Sequence, residues 1–231
     1  MFGALAALSA VLTLAAGWLP GGRGEPPGGT AQRAPARLEA DGWRMLASMA
    51  LFTFGSLAIW PFMERAAHAI GIPAVIFGRY QSLATLVSAL GNLTLAAVVA
   101  RLRVSWSLTV AVLTCGGACA ALTTVSTGSA FGCALITFNA SWFICYPLLL
   151  GIAYSIDAGG RLAVLSSAVW LLMMSLGSLA TGVLAQELGG YRLAVPVGMF
   201  FCTAAVVTAW PLARRLNQGK RVLRPAFANV R

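Results

Sequence analysis

The chain has 231 residues and a net charge of +10, yet 59% of it is hydrophobic and only 10% is charged. Soluble domains carry about 25% charged residues, so a soluble fold of this length is excluded, and seven bilayer crossings would leave no room for a folded extramembrane domain. The excess of basic charge does not point to a nucleic-acid partner, because its placement follows the order of the apolar segments.

A helix needs about 20 mostly apolar residues to cross a bilayer. Segments of that kind lie near 2–20, 43–63, 74–100, 104–125, 131–154, 162–185 and 193–213. The first has no positive lead-in, and its apolar run exceeds the 7–15 residues of a signal-peptide core, so it reads as a spanning helix. Residues 21–42, containing GGRGEPPGGTAQRAPARLEAD, are rich in Gly, Pro and Arg without apolar periodicity, which predicts a mobile linker. That linker divides a lone helix (1–20) from a six-helix bundle (43–213). The other joints are short and favour antiparallel neighbours. Residues 214–231 form a basic tail, a stop-transfer flank suited to anionic lipid.

With the C-terminus inside, thirteen of the sixteen Lys and Arg fall on the cytoplasmic side, and only Arg65, Arg79 and Arg192 fall outside. This is the positive-inside bias. It predicts a cytoplasmic C-terminus and an external Met1. A lone helix followed by a cytoplasmic linker and six more helices reads as the end of a larger architecture whose earlier helices are missing.

Polar residues within the segments recur at helical spacing. Thr53, Ser56, Trp60, Glu64 and His68 are three or four apart, as are Gln81, Thr85, Ser88 and Asn92, and each set falls on one helix face. Asn139, Trp142, Phe143 and Tyr146 form a polar and aromatic stripe that ends at Pro147. Polar side chains facing lipid are costly, so the stripes are expected to face a water-filled cavity or other helices. For a single Ser or Thr, a bond to its own helix backbone is the simpler reading. The amides of Gln81, Asn92 and Asn139 need partners across helices or from cavity water. The small residues Ser175, Gly177, Ser178, Thr181 and Gly182 predict close helix approach in 162–185.

The chain has six acidic residues, of which Glu25, Glu39 and Asp41 are assigned to the linker. Glu64 sits at the outer end of the second segment beside Arg65 and one turn before His68, as either a proton site or a helix-end ion pair. Asp157 is positioned to cap the helix that starts near Arg161, and Glu187 marks an outer loop with Gly189 and Gly190 as helix terminators. Nucleophile-elbow, HExxH and P-loop motifs do not occur. The single histidine excludes a multi-His metal site, and Cys115, Cys119, Cys133, Cys145 and Cys202, all in apolar segments, read as packing residues. The only lysine, Lys220, is in the tail. Neither an enzyme nor a cofactor is expected.

GSLAIWPFMERAAHAIGIP, FNASWFICYPLLLGIAYSIDAGGRLAVLSSA and the Gly/Pro-rich basic linker together resemble the major facilitator superfamily of transporters. They look like the seventh helix of a bacterial branch, its tenth helix with the start of the eleventh, and the central loop between halves. The resemblance implies an all-α integral membrane fold of about seven helices, six of them forming one half bundle, in a bacterial inner membrane. It also implies alternating-access transport of a small solute, driven by a proton gradient, with the substrate site between two halves. The family normally has twelve helices, and its basic loop motif is reduced here to RLR at Arg101–Arg103. Trp60, Gln81, Ser88, Asn92, Asn139, Trp142 and Tyr146 are then placed on the substrate path, with Glu64 as the proton-coupling group.

Three functions remain open to the sequence: a transporter or half-transporter working with a partner half or a second copy, a truncated non-transporting remnant, and a membrane scaffold or binding protein. The expected partners are a small-molecule solute and the lipid bilayer.

Overall fold

The computed structural model describes residues 38–99, 102–187 and 194–228, and the expected crossing at 2–20 lies outside them. The regular structure of the described residues is α1 (Ala40–Leu57), a 3-10 turn (Trp60–Phe62), α2 (Met63–Ala69), α3 (Ala74–Val98), α4 (Val104–Thr124), α5 (Gly128–Ile156), α6 (Arg161–Glu187) and α7 (Ala194–Ala228). Six stretches are long and apolar enough to span a bilayer, with α1 and α2 counting as one. The protein is a multi-pass membrane protein. Hydrocarbon offers the backbone no hydrogen-bond partners, so apolar segments of this length close their bonds internally as helices.

The boundaries differ from the sequence expectation in three places. The first helix begins at Ala40, so Asp41 belongs to its first turn rather than to a linker. There its carboxylate accepts a hydrogen bond from Arg215 of α7 and lies 3.8 Å from Arg44. The crossing also breaks between Leu57 and Met63, where Pro61 lacks the N–H that would continue the ladder. The polar stripe from Thr53 to His68 is therefore carried by two helices, not one. At the other end of the chain, α7 runs past the expected limit at 213 to Ala228.

Local chemistry ends the helices where the loops begin. Gly71, at φ +79°, follows α2 in the left-handed region. Its N–H bonds to His68 O at 2.9 Å, and Ile72 N bonds to Ala67 O at 3.0 Å, the paired bonds of a Schellman cap. Before α6, Asp157 accepts from Gly159 N at 3.0 Å through Oδ1 and from Leu162 N at 2.9 Å through Oδ2.

Packing follows a non-sequential order. The first crossing packs on the last, with Ser48 Oγ donating to Ala205 O at 3.0 Å and Gly55 seated against Gly198 and Phe201. Helix α7 also packs on α4, where Asn217 Oδ1 accepts from Val104 N at 2.9 Å and its Nδ2 donates to Ser105 Oγ at 2.7 Å. Helices α4 and α5 pair as sequence neighbours. The second crossing skips its neighbours: α3 lies along α5, with the Tyr80 ring over Gly132. The fifth crossing does likewise, as α6 lies along α1 with Gly177 against Phe54 O and Ala58.

This pattern has an internal two-fold order. Exchanging the first three crossings for the last three turns α1–α7 into α5–α4, turns α3–α5 into α6–α1, and leaves α4–α7 unchanged. Since consecutive crossings run in opposite directions, the two three-helix units are inverted relative to each other. Their leading members both carry a proline after an aromatic residue, at Trp60-Pro61, where the first crossing breaks, and at Tyr146-Pro147, inside the continuous α5.

One end of the bundle holds Arg44, Arg103, Arg161, Arg214 and Arg215, the other Arg65 and Arg79. Trp43 and Trp106 are exposed at the basic end, Trp106 edge-on to Trp210 at 5.8 Å and Arg214 over Trp210 at 4.9 Å. Tryptophans beside cations at one level form the aromatic belt of a membrane interface.

Candidate functional site

Helices α1, α5 and α6 pack on one another, and an aromatic cluster fills the α5–α6 side of their junction. Trp142 and Tyr146 are one turn apart on α5 and therefore overlie each other, with ring centroids 5.6 Å apart and planes within 9°. Trp170 of α6 closes the group at 5.5 Å from Tyr146 and 6.2 Å from Trp142. The Tyr146 hydroxyl lies 3.4 Å from Ser167 Oγ. Phe143 stands edge-on to Trp142 at 5.1 Å.

Four side-chain polar atoms are buried without a hydrogen-bond partner among the described residues: Trp142 Nε1, Trp170 Nε1, Thr53 Oγ1 and Ser166 Oγ. All four belong to α1, α5 or α6. Leaving a buried donor or acceptor unpaired costs about 1–3 kcal/mol. Thr53, Trp142 and Trp170 each lie in the middle third of their crossing. Close contacts of Gly42 with Leu162 and of Gly177 with Ala58 fix α1 and α6 as parallel, so that Trp170 is level with about the middle of α1.

The chemistry of this junction is neutral. Among the described residues every Asp, Glu, Lys, Arg and His lies toward an end of its membrane span or outside the spans. Indole N–H groups only donate, whereas hydroxyls donate or accept.

The expected path residues divide into three groups. Trp142 and Tyr146 are in the cluster, and Trp60, in the 3-10 turn, meets Phe138 of α5 at 6.1 Å. Asn139 is 1% exposed and its Nδ2 donates to Leu135 O of its own helix at 2.9 Å. Gln81, Ser88 and Asn92 lie on α3, which packs on α5 outside this junction. There Ser88 Oγ donates to Ala84 O at 2.7 Å, and Thr85 Oγ1 to Gln81 O at 2.9 Å, within their own helix. Ser56 Oγ does the same toward Phe52 O at 2.7 Å.

Glu64 sits on α2, beyond the break, with its side chain 59% exposed. Its partner is His68, at 3.8 Å, an ion pair whenever the imidazole is protonated. Arg65 lies instead over the Phe62 ring at 5.9 Å. Cys115, Cys119, Cys145 and Cys202 are buried free thiols, and Cys119 Sγ donates to Ser56 O at 3.4 Å. No group of three His, Cys, Asp or Glu among the described residues is disposed to hold a metal.

The sequence reading missed Trp170 and Ser166. Their spacing of four within an apolar segment was the available signal, but only the packing of α6 along α1 and α5 gives it meaning. Comparison of the chain with protein-family models, curated proteins and solved structures returns no match.

Proposed function

We propose that the protein is a secondary transporter for a small solute, working by alternating access in the manner of the major facilitator superfamily. The observation that carries the reading is the inverted three-helix repeat, whose two leading crossings each carry an aromatic-proline pair at a corresponding position. Proline-bearing apolar segments at equivalent places in inverted repeats point to a transporter site between the repeats. Three of the four unpartnered polar atoms, those of Thr53, Trp142 and Trp170, lie in the middle third of their crossings, and the sequence resemblance, carried by overlapping segments, supports the same class.

In this reading the six-crossing bundle rocks against a counterpart, either a separate half or a second copy, across the face where α1 and α5 lie between α3 and α6. The basic end is cytoplasmic, in a bacterial inner membrane, and Glu64 on α2 couples protons to movement of the solute. Transport would then need the counterpart, so vesicles holding this chain alone would accumulate little solute.

Thiol accessibility tests for the aqueous path without knowledge of the solute. In a background with the native cysteines replaced, Trp142→Cys is expected to react with a membrane-impermeant methanethiosulfonate in intact vesicles. Leu93→Cys, on a lipid-facing position 70% exposed in the bundle, is expected to stay unreactive because the reagent needs a hydrated thiolate. Equal silence at both positions would remove the water-filled path and the transport reading with it.

A further inference from the structure

We infer that the α1–α5–α6 junction takes an uncharged ring compound bearing at least two hydrogen-bond acceptors. The inference rests on the transport reading and names the solute class for it. Three features of the junction converge on that chemistry.

The first is the identity of the unpartnered atoms. Trp142 Nε1 and Trp170 Nε1 are buried, lack partners, and can only donate. The two rings are 6.2 Å apart, so a ligand between α5 and α6 that supplies acceptors pairs donors that a ligand without acceptors leaves unpaired. Thr53 and Ser166 are both fully buried, and their hydroxyls are equally unpartnered.

The second is shape. The Trp142 and Tyr146 rings are stacked, with planes 9° apart, and Trp170 stands at 45° to Trp142. Ring faces of this kind favour a flat partner in an offset stack.

The third is charge. No ionisable group of opposite sign lies near the middle of the described spans to pair with a charged ligand. An ion brought there would lose its hydration without a counter-charge. The aromatic faces attract cations, but that attraction is small beside the lost hydration.

The test is equilibrium dialysis on the purified full chain in lipid nanodiscs, with radiolabelled caffeine and coumarin as flat neutral probes that carry acceptors and no N–H or O–H donors. Benzoate, benzyltrimethylammonium and naphthalene serve as the anionic, cationic and acceptor-free comparisons. Saturable binding of a neutral acceptor-bearing probe is expected, at least about tenfold tighter than of any comparison compound. Trp142→Phe and Trp170→Phe keep a ring and lose the donor, and each is expected to weaken that binding about five- to tenfold, the range of one hydrogen bond. Trp106→Phe, at the exposed basic end, is expected to leave it unchanged.

Failure of folded protein to bind either neutral probe would overturn the inference, as would equal binding of the charged probes or unchanged binding in both Trp→Phe variants. The thermal unfolding midpoint of each variant separates loss of binding from loss of fold. Thiol accessibility is measured without any solute, so the transport reading can survive this failure or fall independently of it.

Discussion

Gly55→Ala tests the close approach of α1 and α7. A Cβ built at Gly55 would lie 2.8 Å from the Phe201 Cβ and 2.9 Å from the Gly198 carbonyl oxygen. Neither neighbour is the far end of a flexible side chain, so α1 and α7 must separate by several tenths of an ångström. Overpacking of this kind costs about 1–3 kcal/mol. Replacing a helical Gly by Ala returns about 0.5–1 kcal/mol through chain entropy and helix propensity. Gly117→Ala, on α4 with nothing within 4 Å of its Cβ, collects the same gain without the clash. The two variants are thus expected to differ by about 1–3 kcal/mol, the first less stable than the second. A thiol-reactive dye during heating suits the measurement, because four of the five cysteines are buried and report unfolding, with Cys133 as exposed background. For a domain of this size each kcal/mol moves the midpoint by about 2–4 °C. A Gly55→Ala midpoint equal to or above that of Gly117→Ala would refute the close approach of α1 and α7.

Asp157→Ala removes the acceptor for Gly159 N and Leu162 N at the start of α6, and is expected to cost about 1 kcal/mol, the usual loss of a helix cap, in the same thermal assay. Reporter fusions at residue 231 are expected to be active in the cytoplasm only, because the basic end carries most of the described cations. A periplasmic signal would reverse the proposed orientation. On the proposed transport reading, with the counterpart half present, Glu64→Gln is expected to abolish uptake driven by a pH gradient while preserving solute exchange, since the amide keeps the shape and loses the titration. Uptake by that variant that still follows the gradient would reduce Glu64 to its exposed pairing with His68.

Hydropathy placed the six described crossings within a few residues, because twenty apolar residues in a row have few soluble alternatives. The reading failed where periodicity was carried across a proline. Thr53 and Ser56 belong to α1, while Glu64 and His68 follow a break and stand exposed on α2. The spacing that put them on one face assumed an unbroken helix, and Pro61 was the warning. The α3 stripe was legible as a pattern but not as a site, since Ser88 and Thr85 spend their hydroxyls on their own backbone. The stacking of Trp142 and Tyr146 was legible because their stripe is local to one helix. Trp170 was not, because its meaning depends on α6 lying along the first crossing, which no local pattern in 162–185 encodes.

The two aromatic-proline pairs bear on how such a bundle moves. Each proline removes one bond of the ladder, the one that would end on the Leu57 carbonyl in the first crossing and on the Phe143 carbonyl in α5. In hydrocarbon a freed carbonyl is tolerated only where it is buried in protein or lines an aqueous space. The first crossing answers by breaking, and its last turn becomes the separate helix α2, whereas α5 stays continuous through Pro147. Since the repeat is inverted, the two prolines fall on opposite sides of the midplane, one toward each end of the bundle. Each is preceded by an aromatic ring packed on or against α5 or α6: Trp60 on Phe138, and Tyr146 on Trp170. The weak points of the two leading helices therefore bracket the neutral aromatic junction from above and below. Bending at one proline would alter access from one side while leaving the Trp142–Trp170 contacts at the centre in place.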